Sequence, residues 1–141
     1  MDDGTSYVNR YLIDALRIPK EYMENEMARQ AAEIRRRTLT YRKPVKYHIT
    51  GKNAILVDDG IATGSTVIAS ARWVRNHNPS RLIVAVPLAP PHSVELLEQE
   101  ADSVIVLESP RDFSSVGQFY EEFTPVSDDE VIRIMSSRGL L

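Results

Sequence analysis

The 141-residue chain has no cysteine, which excludes disulfides, thiolate nucleophiles and thiolate-held metals and leaves the redox compartment open. It has no apolar run near the ~18 residues that a membrane-spanning helix needs. The acidic opening, MDDGTSYVNRY, lacks the apolar centre of a secretory signal and is not expected to act as one. Strong charge of either sign is also missing. A net charge of −3 gives no long-range pull toward nucleic acid or an anionic membrane, so any anion must be bound by a local site. These absences lead us to expect a cytoplasmic protein with neither a nucleic-acid nor a membrane partner. Hydrophobic residues at 43% and charged ones at 26% give an ordinary globular composition, enough for one domain over residues 1–141.

Hydrophobic spacing divides the chain in two. Tyr7, Val8, Tyr11, Leu12, Ala15 and Leu16 recur near 3.6 residues and predict a short amphipathic helix over Tyr7–Ile18. Pro19 suits the first turn of a second helix that runs to about Leu39, with Tyr22, Met23, Met27, Ala31 and Ile34 as its apolar stripe. Arg35–Arg37 would close that helix, complementing its dipole as a solvated end rather than contacting nucleic acid. Tyr41–Lys52, polar and containing Pro44 and Gly51, reads as a connector. Beyond it, strands at Ala54–Val57, Leu82–Val86 and Val104–Leu107 alternate with helices at Ser65–Asn76 and Pro91–Glu100. That alternation predicts βαβ crossovers and a parallel sheet, an α/β fold of the open Rossmann-like kind flanked by helices. A last helix, Ser127 to about Ser137, opens on a Ser127/Glu130 capping box.

The chemistry concentrates in AILVDDGIATGST, Ala54–Thr66. Ligands of open parallel sheets bind at the carboxyl ends of the strands, where Asp58 and Asp59 fall. Adjacent carboxylates repel each other and need hydroxyl donors, a cation or both. Gly60 and Gly64 then let the backbone turn tightly toward a ligand, and Thr63, Ser65 and Thr66 supply hydroxyls. The loop opens a helix whose first N–H groups are unpaired, an anion site by its free donors and its dipole. Carboxylates for sugar hydroxyls beside a nest for phosphate describe a ribose 5-phosphate. GxxxxGK[ST] and GxGxxG are both absent, which weighs against triphosphate and dinucleotide loops.

Ala54–Thr66 resembles the thirteen-residue motif by which type I phosphoribosyltransferases bind 5-phosphoribosyl-1-pyrophosphate (PRPP). EIRRRTLTYR, VAVPLAPP and SVGQFYEEF are similar to segments of a subgroup of predicted phosphoribosyltransferases of unassigned substrate, so the resemblance covers most of the chain. It implies that Asp58 and Asp59 hold the ribose 2- and 3-hydroxyls and act in catalysis. It further implies that Ala62, Thr63, Gly64, Ser65 and Thr66 wrap the 5-phosphate. Mg²⁺ would bridge pyrophosphate and ribose, with no dedicated protein cage beyond Asp58 and Asp59. A nitrogenous base would displace pyrophosphate from C1 of the ribose. Hypoxanthine-guanine enzymes of the family carry aspartate where this chain has Ala62, which makes a 6-oxopurine acceptor less expected. His92, Phe113 and Tyr120 are candidate base contacts, the last two because the region after the third strand forms part of the family's base hood. An LPRGG-like pyrophosphate loop is not visible between Met1 and Lys43, so the chain resembles the C-terminal two-thirds of the usual domain. A sheet without its first strands would expose an apolar edge and self-associate as a homo-oligomer.

Plainer readings stand beside these. Asp58-Asp59 could be a solvated turn, and Thr63, Ser65 and Thr66 helix caps. His92 could be an exposed cap, and His48 and His77 surface residues. Phe113, Phe119, Tyr120, Phe123 and Trp73 could be core. Three functional classes follow: a PRPP-dependent transferase, a non-catalytic PRPP- or nucleotide-binding regulatory module, or a fragment completed by another chain.

Overall fold

The computed structural model describes residues 5–41 and 47–139. The Leu12 side chain, residues 42–46 of the predicted connector and part of the segment searched for a pyrophosphate loop lie outside the described residues. Contacts divide the chain into two compact units.

The first unit holds α1 (Arg10–Leu16), α2 (Lys20–Tyr41) and α5 (Asp128–Ser137). α1 is shorter than its periodicity predicts, because Tyr7 belongs to the other unit. None of α2's residues is buried, so its apolar stripe stays open, with Tyr22 and Met27 exposed. Arg35–Arg37 do not close the helix, which continues to Tyr41. Instead, Arg36 pairs with Glu33 at 2.8 Å and with Asp128 at the start of α5, while Arg37 also takes Glu33. Tyr41 donates its hydroxyl to the same Asp128. These partners hold the Asp128 carboxyl below its usual range, Arg36 first and Tyr41 second. Only half of the expected capping box forms. Ser127 Oγ accepts the Glu130 N–H at 3.3 Å, but the Glu130 carboxylate turns to Arg133 at 3.6 Å.

The second unit, Thr5–Val8 with His48–Phe123, carries the sheet. Strands β1 (Asn53–Val57), β2 (Arg81–Leu88) and β3 (Ser103–Glu108) are parallel and lie in the order β1-β2-β3. Sequential order with crossovers of one hand puts both connecting helices, α3 (Ser65–Asn76) and α4 (Pro91–Glu98), on one face. The packing agrees. Leu82, Val84 and Val86 of β2 are buried with Val67, Ile68, Ala71 and Val74 of α3 and Leu97 of α4. Tyr7 joins this core, and the Arg72 guanidinium lies 5.1 Å from its ring centre.

β2 runs past the predicted Val86 and through Pro87. β1 ends at Val57 opposite Ala85, so no β1 carbonyl awaits the N–H that Pro87 lacks. The opposite sheet face is uncovered: Ile55 is 60% exposed, Val57 75%, Ile105 51% and Leu107 78%. His77 is half-buried rather than superficial. Its ring centre lies 4.2 Å from that of Trp73, and its Nδ1 lies 2.8 Å from the Trp73 carbonyl at the end of α3. Among the described residues no helix is long and apolar enough to cross a membrane.

Candidate functional site

β1 delivers the chain to Asp58 and Asp59 at the carboxyl edge of the sheet, and the loop that follows is pinned from below. Ile61 is buried at 2% exposure and its N–H donates to the Leu88 carbonyl at the end of β2, 2.8 Å away. Gly64 sits at φ +76°, a left-handed turn that an L side chain resists, and its carbonyl takes the Ile68 N–H at 2.8 Å. α3 then begins at Ser65 with no side-chain cap. The hydroxyls of Thr63 and Ser65 lie 3.2 Å from each other and are not used on the helix. This removes the capping reading of these residues. Among the described residues, no protein acceptor takes the N–H groups of Thr63, Gly64, Ser65 or Thr66. They border a shallow cavity of about 140 Å³ lined by Asp58 and by Gly60 through Val67. Free N–H groups, a helix start and hydroxyls not used to cap the helix make this a place for a compact anion.

Asp58 and Asp59 are nearly unengaged. Asp58 Oδ1 accepts the Asp59 N–H at 3.1 Å. Burial pushes the Asp58 carboxyl above its usual range, the Asp59 N–H draws it partly back, and the Asp59 charge raises it further. A carboxylate must be ionised to accept two sugar hydroxyls well. If Asp58 meets sugar hydroxyls, as the family resemblance implies, ribose 5-phosphate affinity would rise with pH through a titration above the ordinary aspartate value. Calorimetry from about pH 4 to about pH 7 checks this against Asp58→Asn. The variant should lose the acid limb and keep the one near ~6 that belongs to the phosphate. Identical profiles would remove Asp58 from the sugar contact.

The tail returns over the loop. A 3₁₀ turn, Val116–Phe119, is held by a capping box that the sequence reading missed, Ser115 with Gln118. It presses Val116 against Gly60, where a Cβ on the glycine would lie 2.7 Å from Val116 Cγ1. Tyr120 donates its hydroxyl to the Asp59 carbonyl at 2.6 Å. Its ring packs on Phe123 and Phe113 packs on Phe119, with centres 5.2 and 5.3 Å apart. Phe119, Tyr120 and Phe123 are exposed, so the core reading of these aromatics gives way to paired rings at the surface.

The structure thus brings Asp58 and Ala62–Thr66 together around one cavity, with Asp59 next to Asp58 in the chain but outside the lining, and Tyr120 tied to the same loop. Phe113 and His92 do not line that cavity. His92 is exposed at the start of α4, its Nε2 3.2 Å from Ser93 Oγ. Ser93, Val116 and the Tyr120 hydroxyl are the loop partners that sequence reasoning missed. Each acts across a long sequence gap and carries no local signature.

Residues 2–123 match the family model of the phosphoribosyl transferase domain. The chain belongs to this family. It is 34% identical over 135 residues to the Mycobacterium tuberculosis proteins MT0597 (strain CDC 1551 / Oshkosh) and Rv0571c (strain ATCC 25618 / H37Rv), which carry provisional phosphoribosyl transferase names. The match covers 95% of this chain and 30% of each relative, so the chain spans under a third of their length. The crystal structure of TT1426 from Thermus thermophilus superposes with a TM-score of 0.73 at 38% identity, over 96% of this chain and 64% of that one. The phosphoribosyl transferase domain thus accounts for the parallel α/β sheet.

Proposed function

We propose that the chain binds PRPP or ribose 5-phosphate and serves the transfer of phosphoribose to a nitrogenous base with release of pyrophosphate. The reading rests above all on one juxtaposition, the N–H groups of Thr63–Thr66 that no protein acceptor takes among the described residues, beside the barely engaged carboxylates of Asp58 and Asp59. Asp58 and Asp59 would hold the ribose hydroxyls, and Ala62–Thr66 the 5-phosphate. Displacement at C1 then depends on positioning and on stabilising charge as it separates. Asp58 and Asp59 also fit Mg²⁺, since their oxygens are hard donors with one protein hydrogen bond between them. The ion would offset the charge of the departing pyrophosphate. His92 and Tyr120 stay candidates for the base side. Phe113, paired with Phe119, is a weaker one.

Pyrophosphate release from PRPP and Mg²⁺ across a panel of bases tests the reaction. Release that depends on one base class supports it. Binding without release from any base would leave the non-catalytic or fragment reading. One observation favours that second reading: among the described residues, neither lysine nor arginine lines the cavity to meet a pyrophosphate. The site would then be completed by residues beyond this chain.

The uncovered sheet face supports a homo-oligomer. Parallel sheets are covered on both faces, and Ile55, Val57, Ile105 and Leu107 make one face apolar and open beside the edge strand β1. A second copy laid on this face would cover it. Light scattering is expected to give a mass above the monomer, reduced by Val57→Lys. A monomer at every concentration would contradict this.

A further inference from the structure

The loop that the proposed function assigns to the 5-phosphate is held at one peptide by a side chain from another element. Ser93, in the first turn of α4, is completely buried. Its hydroxyl donates to the Ala62 carbonyl at 2.7 Å. A serine hydroxyl has one hydrogen to give, so His92 Nε2, 3.2 Å from the same oxygen, can only donate to it.

We propose that Ser93 is a positioning residue for the phosphate loop: its hydroxyl holds the Ala62 carbonyl inward and so aims the Thr63 N–H at the anion. The proposal rests on the ribose 5-phosphate reading of the loop. The geometry follows from the planar trans peptide, in which C=O and N–H point in opposite directions. Fixing one oxygen therefore fixes where the next N–H points. The neighbouring anchors leave this peptide undetermined. Ile61 is pinned before it through the Leu88 carbonyl, and Gly64 turns after it at φ +76°. Ala62 itself is exposed, so no side-chain packing holds the peptide between those points. Without the hydroxyl, the Ala62 carbonyl would lose its only protein donor among the described residues. A flipped peptide would turn that oxygen toward the phosphate, where it repels, and take away a donor.

The test compares wild type, Ser93→Ala and Ser93→Thr, with ribose 5-phosphate as the probe. Calorimetry is expected to show affinity about tenfold weaker in Ser93→Ala, the loss of roughly one hydrogen bond's worth. Ser93→Thr restores the hydroxyl and should bind within about threefold of wild type. The Thr63 amide resonance should shift on ligand addition in wild type and Ser93→Thr but not in Ser93→Ala. A merely structural serine would alter thermal stability and leave that resonance responding as in wild type. If Ser93→Ala fails to fold, Ser93→Cys keeps the size with a weaker donor and should bind less tightly than wild type. A folded Ala or Cys variant with wild-type affinity and an unchanged Thr63 response overturns the proposal alone. A wild-type chain that ignores ribose 5-phosphate overturns the loop reading, and this proposal with it.

Discussion

Replacing both Asp58 and Asp59 with asparagine is expected to weaken ribose 5-phosphate binding by about 10²-fold while leaving the fold intact. The binding loss follows from chemistry. Hydrogen bonds to ionised groups contribute about 1.5–3 kcal/mol, against roughly 1 kcal/mol for neutral ones. Two contacts that each lose about 1.5 kcal/mol together give about 3 kcal/mol, or about 10²-fold. The intact fold follows from the structure. Among the described residues, the hydrogen bond that uses a carboxylate of the pair runs from the Asp59 N–H to Asp58 Oδ1, and an amide oxygen can accept it equally. Electrostatics points the same way. Burial raises the Asp58 carboxyl in the folded state, so stability falls as pH rises through that titration, because the folded chain holds the proton longer. Asparagine removes this penalty and the mutual repulsion, so the variant should melt no lower than wild type at neutral pH. Calorimetric affinity and a melting curve on the same sample check both halves. Unchanged affinity would remove the carboxylates from the site. A collapsed melting temperature would make them structural.

Gly60→Ala is expected to cost about 1–3 kcal/mol of stability and to loosen the segment that follows β3. The added methyl would stand 2.7 Å from Val116 Cγ1 and 3.0 Å from Cγ2. Valine is stiff at χ1 and cannot swing aside, so the 3₁₀ turn must move. That turn leads directly to Tyr120, whose hydroxyl holds the Asp59 carbonyl, so the strain passes to the acidic pair. Gly60 does not occupy the left-handed region, so the substitution isolates the clash from backbone strain. Gly64→Ala makes the contrast: the nearest atom, Ile68 Cδ1, is 3.6 Å away, and the cost there comes from φ +76°. Val116→Ala should relieve the Gly60→Ala clash. Urea denaturation of the four-variant cycle should therefore show the double substitution less destabilised than the sum of the single ones. Strict additivity would mean that Gly60 and Val116 do not press on each other in solution.

The sheet is legible in the sequence because its signals are local. The apolar run after the connector, the acidic pair and the paired glycines place β1, the loop and the start of α3 within a residue. The predicted bounds of Ser65–Asn76 are those the structure has. Element ends drift where tertiary packing overrides pattern: Tyr7 leaves its predicted helix for the sheet core, and α2 runs past its arginines because Glu33 and Asp128 satisfy Arg36. The second layer of the site is not legible. Ser93 reaches Ala62 across 31 positions and Tyr120 reaches Asp59 across 61, contacts that only the folded chain brings about. Sequence singles out Tyr120 for its ring, whereas the structure employs its hydroxyl on the loop backbone.

The central claim is that Asp58–Thr66 grips a phosphorylated ribose. Thermal unfolding with ribose 5-phosphate, set beside ribose and inorganic phosphate at the same concentrations, tests it most directly. Ribose 5-phosphate at about a hundredfold its Kd should stabilise the folded chain by roughly 2.7 kcal/mol, with a melting temperature that climbs with concentration. Ribose and phosphate, each reaching half the site, should protect far less, and the Asp58→Asn/Asp59→Asn chain should shift little with any of them. A wild-type melting temperature that does not move with ribose 5-phosphate, or moves equally with phosphate alone, would contradict the account.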